Sequence, residues 1–187
     1  MTATVDYSAL LAIGKDLLIA LGEDPEREGL RETPKRFASS WREFIEYDTG
    51  TTTTCFESVS VDQMVVVSGM RVFSFCEHHL LPFWCDVAIG YIADGHVLGL
   101  SKFGRIAHQY AHQLQLQERL CQQIADEIIR ITETENVAVF AQGQHSCMVA
   151  RGIRTPSTMT TSVMNGLFRT NASARMEFLQ LARGGGV

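Results

Sequence analysis

The chain has 187 residues, with 45% hydrophobic and 20% charged residues and a formal net charge of −5. These values suit one soluble domain with room for an N-terminal appendage, and they exclude a general nucleic-acid or membrane surface, so any anionic substrate needs a local cationic patch. No apolar run approaches transmembrane length, Met1 to Asp6 lacks the build of a signal peptide, and an odd cysteine count of five points to reduced thiols in the cytoplasm.

Tyr7 to Leu21 carries Leu10, Leu11, Ile13, Leu17, Leu18 and Leu21 at helical spacings, and Gly22-Glu23-Asp24-Pro25 ends the pattern. Thr33-Pro34 reads as an N-cap followed by proline at the first helical position. The helix it opens runs to about Tyr47 and buries Phe37, Trp41, Phe44 and Ile45. Asp48 to Thr54, polar and rich in threonine, reads as a linker that separates a helical region, 1–54, from a catalytic domain, 55–187.

From Ser58 the period changes to that of strand: Val59, Val61 and Met64 to Val67, a break at Gly69, then Val72 to Phe75. Phe83 to Ile92 is a further strand, and Asp94-Gly95 is expected to join it to Val97–Leu100 as a hairpin. Ser101 is the expected N-cap of a helix with Ile106, Ala107, Tyr110, Ala111 and Leu114 inward. A second helix from about Gln117 buries Leu120, Ile124, Ile128 and Ile131. Asn136 to Ala141, Cys147 to Ile153 and Thr160 to Phe168 read as strands. Ala172 to Leu181 is a short helix before a frayed Gly184-Gly185-Gly186. The order describes an α+β fold with a mostly antiparallel sheet.

Chemistry concentrates in Ser74-Phe75-Cys76-Glu77-His78-His79-Leu80-Leu81-Pro82. Cys76 and His79 have the spacing that lets two side chains of one turn reach a single zinc ion. Gln144-His145-Ser146-Cys147 brings a second Cys and His together. Cys76, His79 and Cys147 would make three protein ligands and leave a fourth position for water, the open arrangement of a catalytic zinc. Spacing alone leaves open a closed four-ligand site that uses Cys85, Cys55 or Cys121.

Cys76-Glu77-His78-His79, Gly99-Leu100-Ser101-Lys102, Gln117-Glu118-Arg119-Leu120 and His145-Ser146-Cys147-Met148 to Arg151-Gly152-Ile153-Arg154 together resemble GTP cyclohydrolase I. The resemblance extends from about Glu32-Thr33-Pro34-Lys35-Arg36 to Phe178-Leu179. It implies the tunnelling fold, a homodecamer with sites at subunit interfaces, and conversion of GTP and water to formate and 7,8-dihydroneopterin triphosphate. This sequence departs from the family at Trp84-Cys85, where small residues are usual, and at His112-Gln113, which replaces a more basic pair.

The resemblance assigns Zn²⁺ to Cys76, His79 and Cys147, and proton handling to His78 and His145. Imidazole titrates in the range this task needs. Glu118 matches the residue that reads guanine, since a carboxylate accepts from the ring N–H and the exocyclic amine together; Gln117 is an accessory contact there. Lys102, Arg105, Arg151 and Arg36 match triphosphate-binding positions, Arg36 reaching a neighbouring subunit's site. Ser101 combines a cap with a contact to phosphates or sugar, and is a candidate for the ribose rearrangement. A zinc deaminase of nucleobases would need His-x-Glu and Pro-Cys-x-x-Cys, which do not occur. The nitrile reductase of queuosine synthesis lacks use for a zinc triad, and a non-catalytic scaffold has no use for His78, His145 and Glu118.

Overall fold

The computed structural model describes residues 4–57 and 62–184, so Val59, Val61, Gly185 and Gly186 lie outside the described residues. The chain divides into two compact units, Met1–Asp48 and Thr49–Val187.

The first unit pairs two helices, α1 (Tyr7–Ala20) and α2 (Thr33–Ile45). Asp6 caps α1, its Oδ1 accepting from the Ala9 N–H at 2.9 Å. The helices meet at Gly14, where a Cβ would lie 3.0 Å from the Phe37 ring and 3.1 Å from Pro34. Only Gly14 and Leu18 of α1 are buried, whereas Leu11, Ile13, Leu17 and Ile19, with Leu21 just beyond the helix, are exposed. On α2 the cap is Glu32 rather than Thr33. Phe37, Trp41, Phe44 and Ile45 are half-buried, whereas Pro34 and Ala38 are buried.

The second unit is a mixed α+β structure. Its strands are β1 (Cys55–Glu57), β2 (Met64–Cys76), β3 (Pro82–Ile92), β4 (His96–Leu98), β5 (Leu114–Gln115), β6 (Val137–His145) and β7 (Met159–Met164). The helices are α3 (Leu100–Ala111), α4 (Gln117–Thr132), the single turns α5 (Ser146–Val149) and α6 (Leu167–Thr170), and α7 (Ala172–Gly184). One sheet has the order β5-β2-β3-β6-β7; β2, β3, β6 and β7 pair antiparallel, and β5 joins β2 in parallel.

The alternation of β3 explains the layering. Phe83, Cys85, Val87, Ile89 and Tyr91 point to one face and pack with Phe103, Ile106, Leu120, Ile124 and Ile128 of α3 and α4. Ala88 and Ile92 point the other way, where Phe168 and Phe178 cover them. Trp84 and Asp86 share that second face, and there Arg71 lies over the Trp84 ring and pairs with Asp86.

Several local expectations give way to tertiary pairing. Gly95 turns the chain with φ +80°, but no hairpin follows. β4 leaves β3 and pairs with β1, in the register Cys55↔Leu98 and Glu57↔His96, with the Leu98 N–H donating to the Tyr91 hydroxyl. Gly69, with φ +73°, does not end its strand; β2 continues through a register shift between Val67 and Met70. Gly99 rather than Ser101 precedes α3, so Ser101 lies inside the first turn. Leu114 falls beyond α3, on β5. Cys147 sits on α5 and not on a strand, and β7 stops at Met164 before α6.

One position follows directly from strand pairing. Gly143 faces Cys85 across β3 and β6, and a Cβ there would lie 2.2 Å from the Trp84 carbonyl oxygen and 2.6 Å from the Cys85 Cβ. Both obstacles belong to a central strand that cannot shift cheaply. Gly143→Ala is expected to destabilise the chain by about 3 kcal/mol, read as a lower urea midpoint with an unchanged slope.

Candidate active site

The sheet register gathers the site at one end. Ser74 of β2 pairs with Phe83 of β3, and Phe83 pairs with His145 of β6. Cys76, Phe83 and His145 therefore stand close together on the face covered by α4. The Phe83 and His145 rings stack at 4.5 Å with 9° between planes. Ser74 secures this end, its buried hydroxyl donating to the Ala111 carbonyl at 2.7 Å.

Past Cys76 the chain makes a tight turn. The Cys76 N–H donates to the Leu81 carbonyl, and the His79 and Leu80 N–H groups donate back to the Cys76 carbonyl. Leu80 takes the left-handed conformation, φ +53°, which disfavours a branched side chain. This winding returns His79 towards Cys76, with Nδ1 3.5 Å from the Cys76 Sγ. Cys147 arrives from the other side, on the turn of helix that follows β6.

One donor atom from each of Cys76, His79 and Cys147 lies within 4.8 Å of the others, and among the described residues this is the one such group of metal-binding side chains. Burial, then the neighbouring Cys76 thiol, push the Cys147 thiol above its usual range, while Arg151 acts in the opposite direction. Two sulfurs and one imidazole on adjacent segments suit a borderline-soft cation such as zinc. The other cysteines stand elsewhere. Cys85 and Cys121 are fully buried in the core, with desolvation pushing Cys85 up to about 12 and Cys121 upward too. The Cys55 thiol faces the Ile131 carbonyl at 3.6 Å.

The carboxamide of Gln117, the expected accessory contact at the guanine, is bonded within the fold. It is fully buried, and its Nε2 donates to the Ala141 and Met159 carbonyls at 3.3 and 3.2 Å and to the Thr161 hydroxyl at 3.1 Å. Two of these partners are carbonyl oxygens, so the amide nitrogen must face them. Gln117 Oε1 is then the atom that meets His145 Nε2 at 3.0 Å, and His145 donates from Nε2. Nδ1 is left as the working atom of this imidazole. Burial holds His145 below the ordinary histidine range, and the Glu118 carboxylate pulls it partly back, so that charge is felt within the site.

His78 and His79 are exposed, their rings in an edge-on contact at 6.1 Å. Ser101 is exposed on the first turn of α3. Lys102 Nζ donates to the Thr51 carbonyl and Arg105 Nη1 to the Thr49 carbonyl, each at 2.8 Å, so both cations grip the segment before β1. Arg151 is exposed after α5. Arg36 is exposed on α2, in the first unit. Sequence reasoning passed over Phe83, whose apolar alternation on β3 marks it as ordinary core. It also passed over the Thr49 and Thr51 carbonyls, which have no side-chain signature.

The family model for GTP cyclohydrolase I matches residues 12–183. A GTP cyclohydrolase 1 of Chromohalobacter salexigens is 45% identical over 177 residues, covering 91% of this chain and 95% of the relative. One from Pseudomonas syringae pv. tomato is 48% identical, covering 89% and 92%. A third, from Corynebacterium aurimucosum, is 44% identical, covering 95% and 94%.

Proposed function

This chain belongs to the GTP cyclohydrolase I family and is a GTP cyclohydrolase, and from that premise we propose that it opens the guanine imidazole ring of GTP with zinc, releasing formate and forming 7,8-dihydroneopterin triphosphate. The observation that carries the zinc reading is the approach of Cys76, His79 and Cys147 to within 4.8 Å of one another. Those three residues would hold the ion. Bound there, zinc supplies Lewis acidity, the means of making a water nucleophilic near neutral pH.

The chain's own residues do the rest. With Nε2–H pinned by Gln117, His145 holds or gives a proton at Nδ1, aimed at the imidazole nitrogen of the purine whose protonation makes C8 electrophilic. His78, exposed on the turn between the ligands, exchanges protons with solvent as the ring opens. Glu118 accepts from the guanine ring N–H and amine. Ser101 contacts the phosphates or sugar at the start of α3 and serves the later rearrangement of the ribose.

Lys102, Arg105, Arg151 and Arg36 bind the triphosphate. For Lys102 and Arg105 this means an exchange of acceptors, in which phosphate oxygens replace the Thr51 and Thr49 carbonyls. The donors are cations in both cases, and an anionic phosphate oxygen adds a Coulomb attraction that a neutral carbonyl lacks, so the exchange favours phosphate. The reading includes residues 1–54 as a helical region, residues 55–187 as a tunnelling-fold catalytic domain, and a homodecamer in which Arg36 serves a neighbouring subunit's site. The exposed apolar side chains of α1 are consistent with burial between subunits.

The test joins metal analysis to turnover. The purified chain is expected to carry about one zinc per subunit and to convert GTP to formate and a product that fluoresces as a pterin after oxidation. Stripping the metal with a chelator should abolish turnover, and zinc should restore it. Undiminished GTP turnover by metal-free protein would overturn the zinc reading.

A further inference from the structure

We infer that Arg119, Glu77 and Gln115 form a positioning bridge that fixes the Cys76–Leu81 turn against the start of α4; the inference rests on the function proposed above. Arg119 is the third residue of α4, directly after Gln117 and Glu118. Its Nε donates to Gln115 Oε1 at 2.8 Å, and its Nη2 donates both to the Leu114 carbonyl at 2.8 Å and to the Glu77 carboxylate. Glu77 stands between Cys76 and His78, and its own N–H donates to the Gln115 carbonyl at 3.1 Å.

Gln115 joins the two halves. It is fully buried, with Nε2 donating to the Tyr110 carbonyl at 2.9 Å and to Gln123 Oε1 at 2.7 Å. Its Oε1 accepts from the Leu116 N–H at 3.1 Å as well as from Arg119. The carboxamide is thus saturated, and Arg119 has a buried anchor on one side and the Cys76–Leu81 turn on the other.

Stability does not account for this arrangement. The Arg119 and Glu77 side chains are 41% and 32% exposed, and ion pairs so open to water contribute little. A cation in the first turn of a helix also opposes the helix dipole. What the bridge does is geometric. Gln117 ties the first turn of α4 to His145 and β6, while Arg119 ties the same turn to the segment that carries Cys76, His78 and His79. A guanidinium offers its donors at fixed angles in one plane, so the three acceptors hold it in one orientation, whereas an ammonium is a point charge on a flexible stem. The spacing between the metal-binding turn, His145 and Glu118 is then set by one helical turn, and misplacement of about 1 Å between such groups suffices for a large loss of rate.

Glu77→Gln, Arg119→Gln and the double variant test this, using zinc-loaded full-length protein. Glu77→Gln is expected to lower kcat about tenfold while leaving KM for GTP within about twofold and zinc at full stoichiometry. The double variant should lose no more than the worse single, because the pair acts as a unit. Amide exchange supplies a readout independent of turnover: Glu77 to Leu81 should exchange about tenfold faster in Glu77→Gln, with Val137 to Ala141 unchanged. Unaltered exchange in the turn, equal acceleration in both segments, or losses that multiply in the double variant would each overturn the bridge. A wild-type chain without GTP turnover strikes the proposed function instead, and the exchange measurement still decides the bridge.

Discussion

Cys147→Ser is expected to lose bound zinc and GTP turnover together. Cys76 and His79 come from one turn of chain, and Cys147 is the donor that arrives from the far side, on α5. Without it, the remaining pair shares a single flexible segment. A serine hydroxyl is a hard and weakly acidic donor, poorly matched to a site built from sulfur and imidazole. Zinc bound by a full ligand set gains on the order of 12 kcal/mol. Removing one of three ligands therefore forfeits about 4 kcal/mol, or about a thousandfold in affinity. The fold should survive, because Cys147 is only half-buried and serine is nearly its size. The check is zinc per chain by elemental analysis beside a thermal melt of the metal-free protein, which should match metal-free wild type. A variant that keeps full zinc would remove Cys147 from the ligand set.

How much of this was legible in the sequence varies with the range of the interactions involved. Cys76 and His79 could be read because their spacing is a property of one turn. The helices α3 and α4 and the alternation of β3 could be read because burial on one face imposes a period. Long-range pairing could not. Asp94-Gly95 signals a sharp turn, which the structure has, but nothing local says that β4 will turn away to join β1. Cys147 lies in an apolar run, Cys147-Met148-Val149-Ala150, that favours strand, and it is the end of the sheet at His145 that lets the chain wind into α5.

Polar residues are less legible for a related reason. A glutamine at the start of a helix normally faces water, so Gln117 gave no sign that β6 and β7 would close over it and commit its carboxamide to His145. Its role depends on three strands and helices that meet only in the folded chain. Ser101 was preferred as a cap because serine commonly caps helices, yet Gly99 lies two residues earlier and holds the extended conformation that a cap requires. The apolar pattern of α1 predicted a helix correctly but not its surroundings. Within a single chain most of its large apolar side chains stay exposed.

Glu118→Gln should cripple the use of GTP while leaving zinc in place. Glu118 is exposed on the first turn of α4, and its charge reaches His145, so the carboxylate stands at the same centre as the proposed acid. Guanine presents two donors on one edge, the ring N–H and the exocyclic amine, and a carboxylate can accept from both. An amide of the same shape retains one acceptor and sets an N–H against a donor, so one bond is lost and one contact becomes repulsive. Bonds to an ionised partner contribute about 1.5–3 kcal/mol each. Together these effects amount to about 4 kcal/mol, a fall in kcat/KM of about a thousandfold. Inosine triphosphate, which lacks the exocyclic amine, separates this loss from general damage. Wild type should prefer GTP strongly over the inosine analogue, and the variant should handle the two almost alike, because the group that distinguishes them has gone. Zinc content should not move, since Glu118 is not among the converging ligands. Equal turnover of GTP by the variant and wild type, or an unchanged ratio between the two nucleotides, would take guanine recognition away from Glu118.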